Sequence, residues 1–439
     1  MKTIGLDIGT TSISMVVLDT EKQEIILSRT IPNGCFITTE NGWERIQDAE
    51  KLIGKAKALL DEIMDETPDA ACVGMTGQMH GIVYLNEKGE SISPLYTWQD
   101  GRGDLSEDGK VSVVQDVRDR FGLPVASGYG LTTHLYHVRH GMVPQDAAFI
   151  CTIMDYLGMR LTGRKSPLTH TSNAASFGFF DVRNGVFFTD ILRECGIDPA
   201  ILPDVSGNVE VLGTYRGIPV TIALGDNQAS FLGAAGLEDG AWLLNVGTGG
   251  QISVLSDVFF EAPGIEARPY LEGKYLLAGS TLCCGRAYAI LEKFFRAYAK
   301  ALGQGDQEQY GVMRKLLEES GPDPDPMCVV TKFSGTRVDP GERGSITNVS
   351  ENNFTPAGMV RGVLTGMSQE LYDWYGIIHD GTGIPVNRLL GSGNGVRKNR
   401  LLQEIFTEMF GSPISLSRYE EEAAGGAATS CLFAKSSGI

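Results

Sequence analysis

The sequence predicts an α/β protein built from two similar lobes with a central cleft, and three observations carry that prediction. Strand-like and helix-like segments alternate from the start, as in "MVVLD", "RIQDAEKLIGKAKALLDEIMDE" and "AACVGMTG", and again near the end. The 439 residues exceed what one hydrophobic core usually serves, so two domains of roughly 200 residues each are expected. A strand-turn-strand device also occurs twice, as "LDIGTTSIS" over residues 6–14 and "LNVGTGGQIS" over residues 244–253. Both copies carry an acid or amide, an aliphatic residue and then Gly-Thr at the turn, the mark of a duplicated unit. Duplication sets the boundary between residues 233 and 239, giving lobes 1–235 and 236–439. The active site is expected between the lobes, because two facing hairpins can grip a polyphosphate from both sides.

Composition narrows the class of function. Hydrophobic residues at 42% and charged residues at 21% describe an ordinary globular chain, not a disordered one. A formal net charge of -17 repels nucleic acid and anionic membrane, so phosphate handling must rest on backbone donors or a metal ion rather than on a basic surface. The eight cysteines show no C-x-x-C spacing, which fits reduced thiols. Asp7 interrupts any secretory pattern and no run of about 18 apolar residues occurs, so a cytoplasmic protein is expected.

The elements then follow in order. In "GLDIGTTSISMVVLD", Gly9, Thr10 and Thr11 form a turn whose amides and hydroxyls suit phosphate oxygens, although a plain hairpin turn has the same pattern. Asp7 stands directly before it, and one carboxylate beside a triphosphate can hold Mg²⁺ through water; the alternative is an Asp capping its own turn. "GMTGQMHGIVY" follows an apolar strand and offers Gln78, Met79 and His80 to the polar edge and apolar face of a sugar. "PLYTWQDGRG" adds Trp98 and Asp100, a platform and an acceptor for a polyol, with core packing the other reading of Trp98. Residues 91–103 and 320–345 read as loops. His134, His137 and His140 lack a neighbouring carboxylate or cysteine, so they are read as surface, packing or substrate-lobe residues rather than as a zinc site.

"IPVTIALGDNQAS" sets Asp226 at the end of a buried-looking strand, followed by Asn227, where it can accept a hydroxyl proton or cap a helix. Gly247 and Thr248 are the second turn, with the neutral Asn245 where the first copy has Asp7. "RLLGSGNGVRKNRLLQEIFTEMF" reads as strand, glycine turn and helix. Its third glycine is misplaced for G-x-G-x-x-G, so Gly393 and Asn394 suit a shelf under a nucleotide base better than a dinucleotide fingerprint.

Taken together and in this order, "GLDIGTTSISMVVLD", "GMTGQMHG", "TWQDGRG", "MDYLGMRLTG", "LTHTSNAASFGFFD", "ALGDNQAS", "NVGTGGQ" and "GSGNGVRKN" resemble the FGGY carbohydrate kinases across nearly the whole chain. The resemblance implies the actin-like ATPase (ribonuclease H-like) fold, ATP and Mg²⁺ as cofactors, and transfer of the γ-phosphoryl group to a sugar hydroxyl. Carried over by position, it implies Asp226 as catalytic base and Asp7 as the acid at the metal-phosphate centre. Met79, His80, Asp226 and Asn227 would line the sugar site, and Gly9 to Thr11, Gly247, Thr248, Gly393 and Asn394 the nucleotide site. "TWQDGRG", "SNAASFGFF" and the Arg397-Lys398-Asn399 run look most like sedoheptulokinases, whereas xylulokinases usually carry Trp-Asn-Asp where this chain has Trp98-Gln99-Asp100. Two departures stand out: His134 and His137 replace the family's usual Lys and Trp, and the chain is shorter than many relatives.

The implied partner is a small-molecule ketose, with no nucleic acid and no membrane; a homodimer is compatible with the sequence. Two readings of other classes compete. An actin-like ATPase switch needs the Gly-Thr turns but not "GQMHG" and "GDNQAS" together, and an NAD(P)-dependent enzyme would rest on the C-terminal glycine turn alone.

Overall fold

The computed structural model describes every residue except 107, 108, 110, 322, 337, 338, 340 and 436–439. Its contacts divide the chain into two compact units. The first holds Met1–Gly236, Arg268–Lys274 and the chain from Arg418 onward; the second holds Leu237–Ala267 and Tyr275–Ser417.

In the first unit, β1 (Lys2–Ile8), β2 (Ser12–Asp19) and β3 (Glu24–Pro32) form an antiparallel meander. The short strand β4 (Ile46–Gln47) leads into helix α1 (Ala49–Glu66), which delivers the chain to β5 (Ala70–Gly77), parallel to β1. The periodic segment from Arg45 therefore starts as helix only at Ala49. Asp48 caps it by accepting from the Lys51 amide at 2.9 Å, while Gln47 stays extended and pairs with Leu95 of β6 (Leu95–Tyr96). Strands β7 (Val211–Tyr215) and β8 (Ile218–Gly225) complete a sheet of order β7-β8-β5-β1-β2-β3. The aliphatic runs explain why β1, β5 and β8 occupy its middle: each is buried along most of its length. Helices α2 (Gly130–His140), α3 (Thr171–Ser176) and α4 (Asp226–Ala235) carry site residues. The predicted loop at 91–103 contains β6 and a 3₁₀ turn at Arg102–Asp104.

The second unit repeats the plan. Its sheet runs β11-β12-β10-β9-β13-β14, from β9 (Ala241–Val246), β10 (Gly250–Ser256), β11 (Ile265–Pro269), β12 (Tyr275–Thr281), β13 (Arg388–Ser392) and β14 (Ile414–Leu416). β9 and β10 are the second hairpin, and β13 lies parallel to β9 as β5 does to β1. Helices α5 (Gly285–Ala301), α6 (Tyr310–Ser320), α7 (Pro356–Thr382), α8 (Gly393–Arg397) and α9 (Arg400–Phe410) cover it, with Trp242, Leu244 and Val246 packed in one core with Val360, Leu364 and Met367. Within the predicted loop at 320–345, Cys328–Val330 is a strand, and residues 322, 337, 338 and 340 lie outside those described. Among the described residues no helix is long and apolar enough to cross a membrane.

The last helix, α10 (Glu422–Ser430), belongs to the first unit and lies on β1 and β5 with its backbone almost touching theirs. A Cβ at Gly74 would fall 1.8 Å from the Ala427 carbonyl oxygen, and one at Gly5 1.9 Å from that of Ala424. The obstacles are backbone atoms, which cannot swing aside. Gly74→Ala is therefore expected to destabilise the protein by about 3 kcal/mol, read from urea unfolding; an unchanged midpoint would contradict this packing.

Candidate active site

The parallel strands β1, β5 and β8 end in register, with Asp7 opposite Thr76 and Thr76 opposite Leu224. Side chains just past these ends therefore gather at one edge of the sheet, where α/β proteins bind ligands. Asp226 is the first residue of α4, and Gly225 rather than Asp226 occupies the cap, with no side-chain capping bond. The capping alternative is thus not what the carboxylate does: it accepts from Asn227 Nδ2 at 2.9 Å. Burial raises its pKa to about 6, against the lowering effect of the Asn227 amide and the Arg268 cation.

Asp7 likewise makes no bond to its own turn. Its pKa is raised to about 7, first by burial and then by the charges of Asp226 and Glu421. The two carboxylates repel one another, which disfavours ionising both together. Among the described residues no group of three or more His, Cys, Asp or Glu side chains could hold a metal ion. Two repelling carboxylates without a third ligand fit Mg²⁺ arriving with a nucleotide, because that ion keeps waters and phosphate oxygens and takes one or two protein carboxylates.

The turn after Asp7 is pinned by side chains from three segments. Asn33 Nδ2 donates to the Gly9 carbonyl at 2.8 Å, Gln47 Nε2 to the Thr10 carbonyl at 3.0 Å, and Trp98 Nε1 to Thr10 Oγ1 at 2.9 Å. Trp98 is 48% exposed, so it is no core residue, and its indole edge braces the turn. Thr11 is exposed.

Gln78, Met79 and His80 leave β5 beside Asp226. Asn227 Nδ2 lies 3.8 Å from Met79 Sδ, and Gly225 leaves room for that thioether, since a Cβ there would stand 2.8 Å from the sulfur. His80 takes φ +71°, a left-handed conformation costly for a side-chain-bearing residue. It is held there by Ser176, whose Oγ accepts from the His80 amide at 3.1 Å and whose carbonyl lies 2.7 Å from Nδ1, and by Tyr129 stacked at 4.5 Å. A carbonyl only accepts, so Nδ1 carries the hydrogen. Ser172 of the same α3 segment accepts from the Gly225 amide at 3.0 Å, directly before Asp226.

Asp100 departs from the expected polyol acceptor. It is buried, and both its oxygens are already engaged: Oδ1 by Arg102 Nε at 2.6 Å and Oδ2 by Arg102 Nη2 and the Arg45 amide, each at 3.0 Å. The opposed charges two residues apart were the available signal. Arg102 also donates to His137 Nε2, and Tyr84 Oη joins His137 Nδ1 at 2.9 Å and His134 Nδ1 at 2.8 Å. Because the guanidinium can only donate, the chain runs one way, Arg102 to His137 to Tyr84 to His134. Burial drives the pKa of His134 to about 4 and, with the Arg102 cation, that of His137 to about 3, so both are neutral packing residues. His140 lies at the helix end, stacked on Tyr136 at 4.0 Å.

The second unit contains a cavity of about 1180 Å³, ample for a nucleotide beside the roughly 300–1,000 Å³ of common ligand pockets. Gly247 and Thr248 line one part of it and Gly393 and Asn394 another. The Gly247 and Thr248 carbonyls accept from the Gly285 amide at 3.1 Å and the Arg286 amide at 2.9 Å, so the start of α5 fixes the turn. Gly393 has φ +78°, and a Cβ there would meet the Val246 carbonyl at 2.6 Å, which is how the glycine shelf packs on the hairpin. Sequence reading missed Tyr288 and Tyr310 in the lining, whose rings stack at 5.6 Å, and the cations Arg286 and Lys398, which form no ion pair among the described residues. Stacked aromatic faces with unpaired cations suit a base and its phosphates.

Comparison with known proteins places the chain in a family. Residues 2–233 match the N-terminal domain of the FGGY family of carbohydrate kinases, and residues 244–434 match its C-terminal domain. The sedoheptulokinase of Mus musculus is 26% identical over 477 aligned residues, covering 97% of this chain and 96% of that protein. The xylulose kinase of Staphylococcus xylosus is 24% identical, covering 97% and 89%. Among solved structures, xylulose kinase from Rhodospirillum rubrum superposes with a TM-score of 0.85 at 23% identity, covering 98% of this chain and 89% of that one. Glycerol kinase from Plasmodium falciparum with ADP gives 0.81 at 19% identity, covering 98% and 88%. The chain belongs to the FGGY family of carbohydrate kinases and has its two-domain actin-like ATPase fold.

Proposed function

We propose that this protein is an Mg²⁺- and ATP-dependent kinase that phosphorylates the terminal hydroxyl of a ketose, sedoheptulose in preference to xylulose. The observation that carries this reading is Asp226, an uncapped, half-buried carboxylate beside Met79 and Asn227 at the end of β8, whose pKa of about 6 leaves it ionised at neutral pH. Asn227, Met79 and His80 contact the sugar, with His80 set by Ser176 and Tyr129. Asp226 takes the proton of the terminal hydroxyl as its oxygen bonds to the γ-phosphorus. The bond from that phosphorus to the bridging oxygen breaks, and ADP leaves.

The tyrosine-lined cavity of the second unit takes the base, while the Gly247-Thr248 and Gly9-Thr10-Thr11 turns bind phosphate oxygens. When bound, Mg²⁺ would neutralise charge on the phosphates, and Asp7 would hold it. Positioning and charge neutralisation supply most of the rate. The sedoheptulose assignment rests on "TWQDGRG", "SNAASFGFF" and the Arg397-Lys398-Asn399 run together with the sedoheptulokinase relatives.

ADP release measured across sedoheptulose, xylulose, ribulose and glycerol tests the reading. The highest kcat/KM is expected for sedoheptulose. A preference for xylulose of about tenfold or more would assign the protein to xylulose phosphorylation instead. ADP release indifferent to every sugar would favour an ATPase switch.

A further inference from the structure

The ketose loop and the first phosphate turn are joined by two buried amides, Gln47 and Gln78. Gln47, fully buried, donates from Nε2 to the Thr10 carbonyl at 3.0 Å; its Oε1 accepts from Gln78 Nε2, also at 3.0 Å. The direction of this chain is fixed. A backbone carbonyl only accepts, so Gln47 must turn its NH₂ to Thr10 and its oxygen to Gln78, and Gln78 must then donate. Rotating either amide by half a turn sets oxygen against oxygen or nitrogen against nitrogen. Gln78 Oε1 is left buried without a partner, an unusual state that is tolerated here while both other links are made. Gln78 is the neighbour of Met79, and Thr10 lies three residues after Asp7. Other groups hold the turn from outside: Asn33 at Gly9 and Trp98 at the Thr10 hydroxyl. The Gln78 backbone amide also donates to the Ile8 carbonyl at 2.9 Å, at the end of β1; among the described residues the Gln47 side chain is the link from the ketose loop to the Thr10 carbonyl itself.

We propose that Gln47 is a positioning residue that holds the phosphate turn in register with the ketose loop through the directed relay Gln78 to Gln47 to Thr10. This deepens the ketose-kinase reading and rests on it. Sequence periodicity concealed the role, because it assigns Gln47 to a helix; in β4 its side chain reaches Thr10.

The test compares Gln47→Leu, Gln78→Leu, their double variant and Gln47→Glu in the full-length protein. Turnover is followed with sedoheptulose and ATP, affinity for adenylyl imidodiphosphate by calorimetry, and folding by thermal unfolding. Gln47→Leu is expected to lower kcat on the order of tenfold and to weaken the nucleotide analogue several-fold, with little change in sedoheptulose affinity. The double variant should be no worse than the more damaging single variant, since both break one relay.

Gln47→Glu provides the conservative rescue. A neutral carboxyl can donate to the Thr10 carbonyl and accept from Gln78, whereas the ionised form cannot donate. Burial favours the neutral form, so this variant should approach wild-type turnover near about pH 6 and lose it towards about pH 9, relative to wild type at each pH. The Gln47→Leu deficit should not vary with pH in this way. Single-variant losses that multiply in the double variant, or turnover and analogue affinity of Gln47→Leu within about twofold of wild type, would overturn the proposal. Wild type that releases no ketose-dependent ADP would instead overturn the kinase reading beneath it.

Discussion

Asp226→Asn is expected to lower kcat for ketose phosphorylation by about a thousandfold while sedoheptulose binding, measured by calorimetry, changes by less than about fivefold. The substitution keeps the shape and the contact with Asn227 Nδ2, but it removes the carboxylate at the first turn of the helix after β8, the proposed proton acceptor. The pH profile gives a second view of the same group. With a pKa raised to about 6 by burial, Asp226 loses its charge as pH falls through that value, so wild-type kcat/KM should decline on the acid side there. A variant with near-normal turnover would remove Asp226 from the role of base.

Asp7→Asn should have two effects of opposite sign. Turnover should fall by about a hundredfold or more, because the acid proposed for the metal-phosphate centre is gone. Stability without divalent cations should rise. The folded-state pKa is raised from 3.8 to about 7 by burial and by Asp226 and Glu421, so across that interval the folded protein keeps a proton that the unfolded chain has lost. Stability contributed by the neutral acid is therefore lost as pH rises through the window, and the full penalty applies above it. The variant should gain on the order of 2–4 kcal/mol over wild type in urea unfolding at about pH 8, and nothing at about pH 4. Equal stability of the two proteins at both pH values would show that Asp7 is not held against a neighbouring charge.

These expectations depend on features that were unevenly visible in the sequence. The two hairpins were readable because strand, Gly-Thr turn and strand are local, and their recurrence pointed to the duplication that the two sheet orders display. Asp7 and Asp226 stood out because each lies at the end of an aliphatic run that reads as a buried strand. What sequence alone left out came from contacts between distant segments. Nothing local to residues 422–430 says that this helix returns to the first unit, although the glycines that admit it, Gly5 and Gly74, were in plain view. Asp100 has the side chain of a polyol acceptor, and only its pairing with Arg102 shows that its oxygens are taken. His134 and His137 read equally well as surface or core until Tyr84 is found between them. Tyr288 and Tyr310 sit on amphipathic helices, where an aromatic residue facing a cavity has the same spacing as one facing the core.

ADP release by the wild-type protein with Mg²⁺-ATP, in the presence and absence of sedoheptulose, decides whether the protein is a ketose kinase. The expected result is slow release without the sugar and fast release with it, one ADP formed for each sugar phosphate. Release at the same rate with and without sedoheptulose and every other ketose or polyol tested would contradict it.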